Sequence, residues 1–221
     1  MQIPKTAIIS AAGLGSRLGL GIPKCLLEFE GRTLISYQIE ALKDVEEIRV
    51  VTGYREFDVM NEVLRHRDDV IFIRNSEYYK TSNTRSIDLA TRGLEEPFLI
   101  VDADLFFKRE TFEAFVEHIS ADNFLIGITS AKSDNAVYVD YDSTTKQINS
   151  FSMNEKKPYE WSGLAYLPKN IFHKSDSFVF QELAFFLPLR AIPLDIFEVD
   201  TLADLQNLKQ FLASQKEVPK E

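Results

Sequence analysis

Near its start the chain runs from an apolar, β-branched stretch, Thr6-Ala7-Ile8-Ile9-Ser10-Ala11-Ala12, straight into Gly13-Leu14-Gly15-Ser16-Arg17-Leu18-Gly19-Leu20-Gly21-Ile22-Pro23-Lys24. The first stretch is short, apolar and bounded by glycine, so it reads as a fully buried strand. Its end delivers a glycine-rich loop carrying two cations. Glycines at 13 and 15 let main-chain N–H groups approach a ligand with no Cβ in the way. Successive N–H groups of such a turn form an anion-binding concavity. Arg17 adds a planar fork for phosphate oxygens and Lys24 a point charge, while Pro23 stiffens the backbone before the lysine. The parts point to a polyphosphate pocket; a surface turn with solvated cations is the plainer alternative. A dinucleotide fingerprint fails because position 18 is Leu. A Walker loop fails because Cys25 follows Lys24.

Downstream, apolar runs alternate with helical periods. Leu26 to Phe29 reads as a short strand. Thr33 can cap a helix carrying Leu34, Ile35, Ile39 and Leu42 on one face. Strands are expected around Ile48–Val51, Val70–Ile73 and Phe98–Val101, with helices over about 55–65 and from Ser82 or Asn83 onward. This alternation predicts an α/β fold, a Rossmann-like mixed, mainly parallel sheet flanked by helices. In such sheets ligands bind beyond the carboxyl ends of the strands. Past an amphipathic helix at Arg109–Ile119 the rhythm changes to short strands and polar turns, a small antiparallel subregion facing an acceptor. Met153–Trp161 reads as a loop, Phe178–Leu187 as a packed helix and Ile192–Val199 as the last strand. The whole of 1–221 is expected to be one domain: about 1–122 for nucleotide, about 123–200 for acceptor, and 201–221 as C-terminal helix and tail.

Val101-Asp102-Ala103-Asp104 ends the fourth strand, where alternation would put both carboxylates on one face as hard oxygen ligands for a divalent cation. A turn or helix-cap aspartate is the alternative. Asp200 follows the last strand, and Thr201 can cap the helix after it.

The order Gly-x-Gly-x-Arg, then Pro23-Lys24, then Val101–Phe106, then Glu198-Val199-Asp200-Thr201 resembles the nucleotidyltransferases that make nucleotide-activated sugars and alcohols, over nearly the whole chain. Asn75–Tyr79 with Asn83-Thr84, Ala131–Val139 and Ile196–Asp200 are similar to stretches of the choline-phosphate and 2-aminoethylphosphonate cytidylyltransferases. The resemblance implies a GT-A-like nucleotidyltransferase fold and transfer of CMP from CTP to a small phosphorylated or phosphonate alcohol, with release of pyrophosphate. It implies catalytic roles for Arg17 and Lys24, and metal ligation of Mg²⁺, or Mn²⁺ in its place, by Asp104 and Asp200. The nucleotide would be held by Ala11, Ala12, Gly13, Leu14, Gly15, Ser16, Arg17, Lys24, Asn75, Asn83, Thr84, Ser86 and Asp102. Lys132 and Trp161 would meet the acceptor; Trp161 with Tyr159 and Glu160 could hold a cationic amine. Two other activities stay open: a sugar-1-phosphate nucleotidylyltransferase, and a metal-dependent glycosyltransferase using Asp102-Ala103-Asp104. A non-catalytic nucleotide-binding regulator is a third reading.

A formal net charge of −9 argues against a general nucleic-acid binder. It also makes a locally basic loop more informative. No apolar run approaches the ~18 residues of a membrane span, and the start lacks a signal peptide's charged head and apolar core. With Cys25 as the sole cysteine no internal disulfide is possible, so a cytoplasmic location is expected. Its thiol, beside Lys24, is either somewhat activated or simply a half-buried small group. His66, His118 and His173 receive no role, and the oligomeric state is open.

Overall fold

The computed structural model describes residues 3–15, 19–120, 124–132, 136–172 and 177–216. Its centre is β1 (Thr6–Ala11). Ala7, Ile9 and Ala11 feed one core and Ile8 the other, as the two-residue period of a strand requires. After the loop, a 3₁₀ turn over Lys24–Leu26 leads to a ribbon of β2 (Glu28–Phe29) and β3 (Arg32–Thr33). Thr33 then caps α1 (Leu34–Ala41), its hydroxyl accepting from Ser36 N at 3.3 Å. Next come β4 (Glu47–Thr52), α2 (Glu56–Leu64), β5 (Val70–Arg74), α3 (Asn83–Thr91) and β6 (Phe98–Asp102). β5, β4, β1 and β6 lie side by side, all parallel, with β1 between β4 and β6. These are the parallel strands expected of the first half.

The second half is built differently from the expectation. β7 (Leu105–Phe106) and α4 (Arg109–Val116) are followed by β8 (Leu125–Ser130), β9 (Tyr138–Asp142), β10 (Gln147–Ser152) and β11 (Tyr159–Leu167). Then come α5 (Val179–Leu183), β12 (Leu189–Pro193), β13 (Phe197–Glu198) and α6 (Leu202–Lys216). The antiparallel strands are no appendage. β11 pairs antiparallel with β6 and carries the sheet on through β8, β12, β10 and β9 to nine strands. The fold is therefore α/β with one continuous mixed sheet, more antiparallel than the alternation in the first half suggests.

Three elements depart from the sequence reading. Ile192–Val199 is not one strand: Pro193 ends β12, Ile196 N turns back onto Leu194 O at 3.1 Å, and β13 joins β7 in a separate ribbon. Tyr159 and Glu160, expected in a loop, begin β11 because they pair with both β8 and β9. The apolar run Phe178–Leu187 holds only the five residues of α5 and a 3₁₀ turn, Ala184–Phe186, ahead of Pro188. No helix among the described residues is long and apolar enough to cross a membrane.

Candidate active site

β1 and β6 end side by side, with Ser10 opposite Asp102, so the glycine loop and the aspartates open at one edge of the sheet. Gly15 has φ +62, and a Cβ there would press on Ile22 O and Lys24 Cγ, each at 3.2 Å. Glycine at this position thus lets the loop fold back onto its own lysine. Ala11, Ala12, Gly13, Leu14, Gly15 and Lys24 all line a cavity of about 550 Å³ at this edge. Ser16 and Arg17 lie outside the described residues.

Asp102 and Asp104 do not share a strand face as alternation suggested. β6 stops at Asp102, and Ala103-Asp104 form a turn into β7. β7 pairs with β13, Leu105 opposite Glu198, and Val199 N donates to Asp104 O at 2.9 Å. This ribbon carries Asp200 to Asp104. Carboxylate oxygens of Asp104, Glu198 and Asp200 lie within 4.8 Å of one another. Glu198 was not assigned from sequence; its spacing of two from Asp200 is the signal that marks it. Hard carboxylate oxygens in such a set suit a divalent cation of the Mg²⁺ type. Asp200 is held from behind: its N–H, like that of Thr201, donates to Asp204 Oδ2, at 3.1 and 2.7 Å. Thr201 Oγ1 in turn accepts from Asp204 N at 3.2 Å, the cap that starts α6.

Lys24 enters this cluster. Its ammonium donates to Asp104 Oδ2 at 2.8 Å and also contacts Asp200 Oδ1. The lysine reads from sequence as a phosphate ligand, whereas here it bridges two carboxylates. Neighbouring Cys25 is buried, and burial, reinforced by the Asp104 carboxylate, pushes its thiol up to about 12. Lys24 therefore does not activate it.

Asp102 lines the same cavity. Burial, then the charges of Asp104 and Glu198, drive its pKa well above the usual carboxylate range, against Lys24 and a hydrogen bond with Asn83. Gly163 makes room for it. This glycine sits in a bulge of β11 at φ +78, and a Cβ there would come within 2.9 Å of Asp102 Oδ2. Nothing in the sequence distinguishes it from any other strand glycine.

The segment after β5 is tied by Asn75, whose Nδ2 donates to Thr81 Oγ1 and Ser86 Oγ, both at 3.0 Å. Asn75 and Thr84 are buried and do not line the cavity. Asn83 and Ser86 do line it, together with Tyr78 and Thr81, which sequence reasoning passed over. Tyr78 fits there because Gly53 has no Cβ, which would otherwise come within 2.7 Å of it.

The same cavity is lined by Lys132, Glu160 and Trp161, with Met153, Phe178 and Phe180. Lys132 Nζ donates to Ile196 O at 2.8 Å and lies 3.6 Å from the centre of the Phe197 ring. Burial lowers its pKa, opposed by Glu160 and Asp195. Glu160 accepts from Lys132 N at 3.2 Å.

The MobA-like NTP transferase domain matches residues 7–214. Among characterised relatives, the CTP:phosphoglutamine cytidylyltransferase of Campylobacter jejuni is 36% identical over 121 residues, 50% of this chain and 47% of that one. The choline-phosphate cytidylyltransferase of Streptococcus pneumoniae is 34% identical over 113 residues, 48% of this chain and 47% of that one. The chain thus matches about half the length of these relatives. Whole-chain likeness comes from solved structures. The inositol-1-phosphate CTP transferase of T. maritima superposes with a TM-score of 0.76 at 20% identity, covering 98% of each chain. The CTP:phosphocholine cytidylyltransferase of Streptococcus pneumoniae gives 0.75 at 22% identity, covering 95% of this chain and 100% of that one. Both likenesses are of fold.

Proposed function

The chain belongs to the MobA-like NTP transferase family, and we propose that it is a cytidylyltransferase, moving CMP from CTP to a small phosphorylated or phosphonate alcohol that carries an amine. The observation that carries this reading is the sign of the cavity. Among its described lining residues six bear carboxylates (Asp102, Asp104, Glu160, Glu198, Asp200, Asp204), while Lys24 and Lys132 supply the ammonium groups. A triphosphate and an acceptor phosphate can meet there only if further positive charge enters with them. Members of this family generally need a divalent metal, and Asp104 with Asp200 are the ligands we assign, Glu198 standing beside them. When bound, that ion supplies positive charge at the α-phosphate and at the attacking oxygen.

Gly13 and Gly15 present main-chain N–H groups to the β- and γ-phosphates, with Arg17 assigned to the same task. Lys24, released from its carboxylates, neutralises charge growing at the α-phosphate. An acceptor phosphate oxygen attacks the α-phosphorus, the bond to the bridging oxygen breaks, and pyrophosphate leaves. Because the second pKa of a phosphate monoester is ~6, the attacking oxygen is already ionised at pH 7. No general base is required, and positioning with charge neutralisation does the rest.

The acceptor end supports an amine. Trp161, Phe178 and Phe180 offer ring faces and Glu160 a buried carboxylate, a setting that attracts a substituted ammonium. Lys132 is the cation nearest to hand for the acceptor's phosphate. CTP as the nucleotide rests on the cytidylyltransferases among the relatives.

Pyrophosphate release tests the assignment. The protein is incubated with Mg²⁺, each ribonucleoside triphosphate in turn, and a panel of phosphorylated amino alcohols, aminoalkylphosphonates, polyol phosphates and sugar phosphates. Release that requires CTP together with an amine-bearing acceptor is the expected result. Release with a hexose 1-phosphate instead would move the assignment to a sugar nucleotidylyltransferase. Cleavage of a nucleotide-sugar to the nucleoside diphosphate would overturn it in favour of a glycosyltransferase.

A further inference from the structure

Gln38 does something that packing alone does not require. It lies on α1 and is fully buried. Its Nε2 donates to Asp102 O at 2.9 Å and to Leu105 O at 2.8 Å. These two carbonyls flank the Ala103-Asp104 turn, so a single amide nitrogen closes the turn from inside the core. Both partners can only accept, which fixes the orientation of the amide. The consequence is that Gln38 Oε1 points into the core with no hydrogen-bond partner. Leaving a buried acceptor unpaired is costly. Ile35, Ile39 and Leu42 are buried beside Gln38. An aliphatic side chain would fill the site without that cost, but it would leave the two carbonyls unbound.

We infer that Gln38 is a positioning residue for the cation site, acting through the turn that aims Asp104. The inference rests on the metal reading of Asp104 and Asp200 given above. The turn has further restraints: Asp102 pairs with Ser10 of β1, Lys24 Nζ donates to Asp104 Oδ2, the Val199 N–H donates to Asp104 O, and Leu105 pairs with Glu198. The last two bring Asp200 and Glu198 to the turn, and none of the four binds both of its ends. Gln38 does so, through the carbonyls of Asp102 and Leu105, from a helix that packs into the core through Ile35 and Ile39. A ligand carboxylate aimed by a buried hydrogen bond behaves as other outer partners of metal ligands do, and their loss typically weakens metal binding by ~10–100-fold.

The test is Mn²⁺ binding to the full chain, read from the EPR signal of the free ion, in wild type, Gln38→Met and Ile39→Val. Ile39→Val loosens the same helix while leaving the Gln38 amide and its two carbonyl partners in place. The expected result is Mn²⁺ binding weakened by ~10–100-fold in Gln38→Met and unchanged in Ile39→Val, whatever the two substitutions do to the melting temperature. Wild-type binding in Gln38→Met overturns the inference and leaves the metal reading standing. Failure of the wild type itself to bind Mn²⁺ overturns both. If Gln38→Met does not fold, the side-chain NH₂ of Gln38 in ¹⁵N-labelled wild type decides. A shift of that resonance on adding Mg²⁺ supports the role, and an unmoved resonance refutes it.

Discussion

Lys24 Nζ donates to Asp104 Oδ2 at 2.8 Å, joining the glycine loop to the acidic turn across eighty residues of sequence. The same ammonium touches Asp200. A lysine there serves as an internal counter-ion for two carboxylates that would otherwise repel, and it occupies oxygens that a metal ion would need. Replacing Lys24 by Met should therefore act in opposite directions on two measurements. Turnover should fall by ~10²–10³, as for loss of one charge-stabilising contact, while Mn²⁺ binding in the absence of nucleotide should tighten several-fold. Calorimetric titration with Mn²⁺ beside a pyrophosphate-release assay reads both. Unchanged metal affinity would mean that the lysine does not compete.

Gly163 makes a second expectation quantitative. A residue with a Cβ at φ +78 is strained, and here the Cβ would also press on Asp102 Oδ2. Gly163→Ala should destabilise the protein by about 1–3 kcal/mol and lower turnover, because Asp102 must shift. Urea denaturation at neutral pH gives the first quantity. A variant as stable as wild type would show that the bulge relaxes freely.

Cys25 offers a pH test with a definite sign. Its thiol stays protonated in the folded state up to about 12, against a model-peptide value of 9.0. The unfolded chain loses that proton first as pH rises, so the unfolded state is favoured progressively. The contribution is complete below pH 9 and disappears as pH climbs from there through about 12. The slope approaches about 1.4 kcal/mol per pH unit within that window. The difference between wild type and Cys25→Ala in stability measured at pH 8 and at pH 10 isolates it from other titrating groups. A thiol reagent at pH 8 should also modify the native protein only as fast as it opens.

At the acceptor end, Lys132→Met should raise the KM for the acceptor by roughly tenfold or more, since a hydrogen bond to a charged group is worth ~1.5–3 kcal/mol. The KM for the nucleoside triphosphate should hold. Steady-state kinetics with each substrate varied in turn separates the two, and an equal rise in both constants would remove Lys132 from the acceptor site.

What the sequence revealed and concealed follows from length and period. β1 and β6 run five or six residues, bury both faces and sit in a regular alternation with helices, so they and the loop after β1 are readable. β7 and β13 have two residues each, too few to carry any period. Yet that ribbon decides that Asp104, Glu198 and Asp200 meet. Asp104 and Asp200 stand out through resemblance to the nucleotidyltransferases; only the pairing of β7 with β13 brings Glu198 beside them. Likewise a lysine's charge is plain in sequence, but its choice between a phosphate and two carboxylates is a matter of tertiary distance. Gly163 and Gly53 mark close approaches of Asp102 and Tyr78, contacts that no local rule predicts.

The separation of the β7–β13 ribbon from the main sheet bears on how this protein comes to life during synthesis. β1, β4, β5 and β6 and the glycine loop are complete in the first half of the chain, and that half can begin to assemble as soon as it is made. Asp200, however, is translated after β13, so the acidic cluster can close only when the strands β8 to β13 have also emerged. A nascent chain that stops short of β13 would carry the glycine loop and Asp104 without Glu198 and Asp200, and on the function proposed above it would be inert. The order in which the residues are strung together thus acts as a safeguard: the chemistry is withheld until the scaffold that restrains it exists.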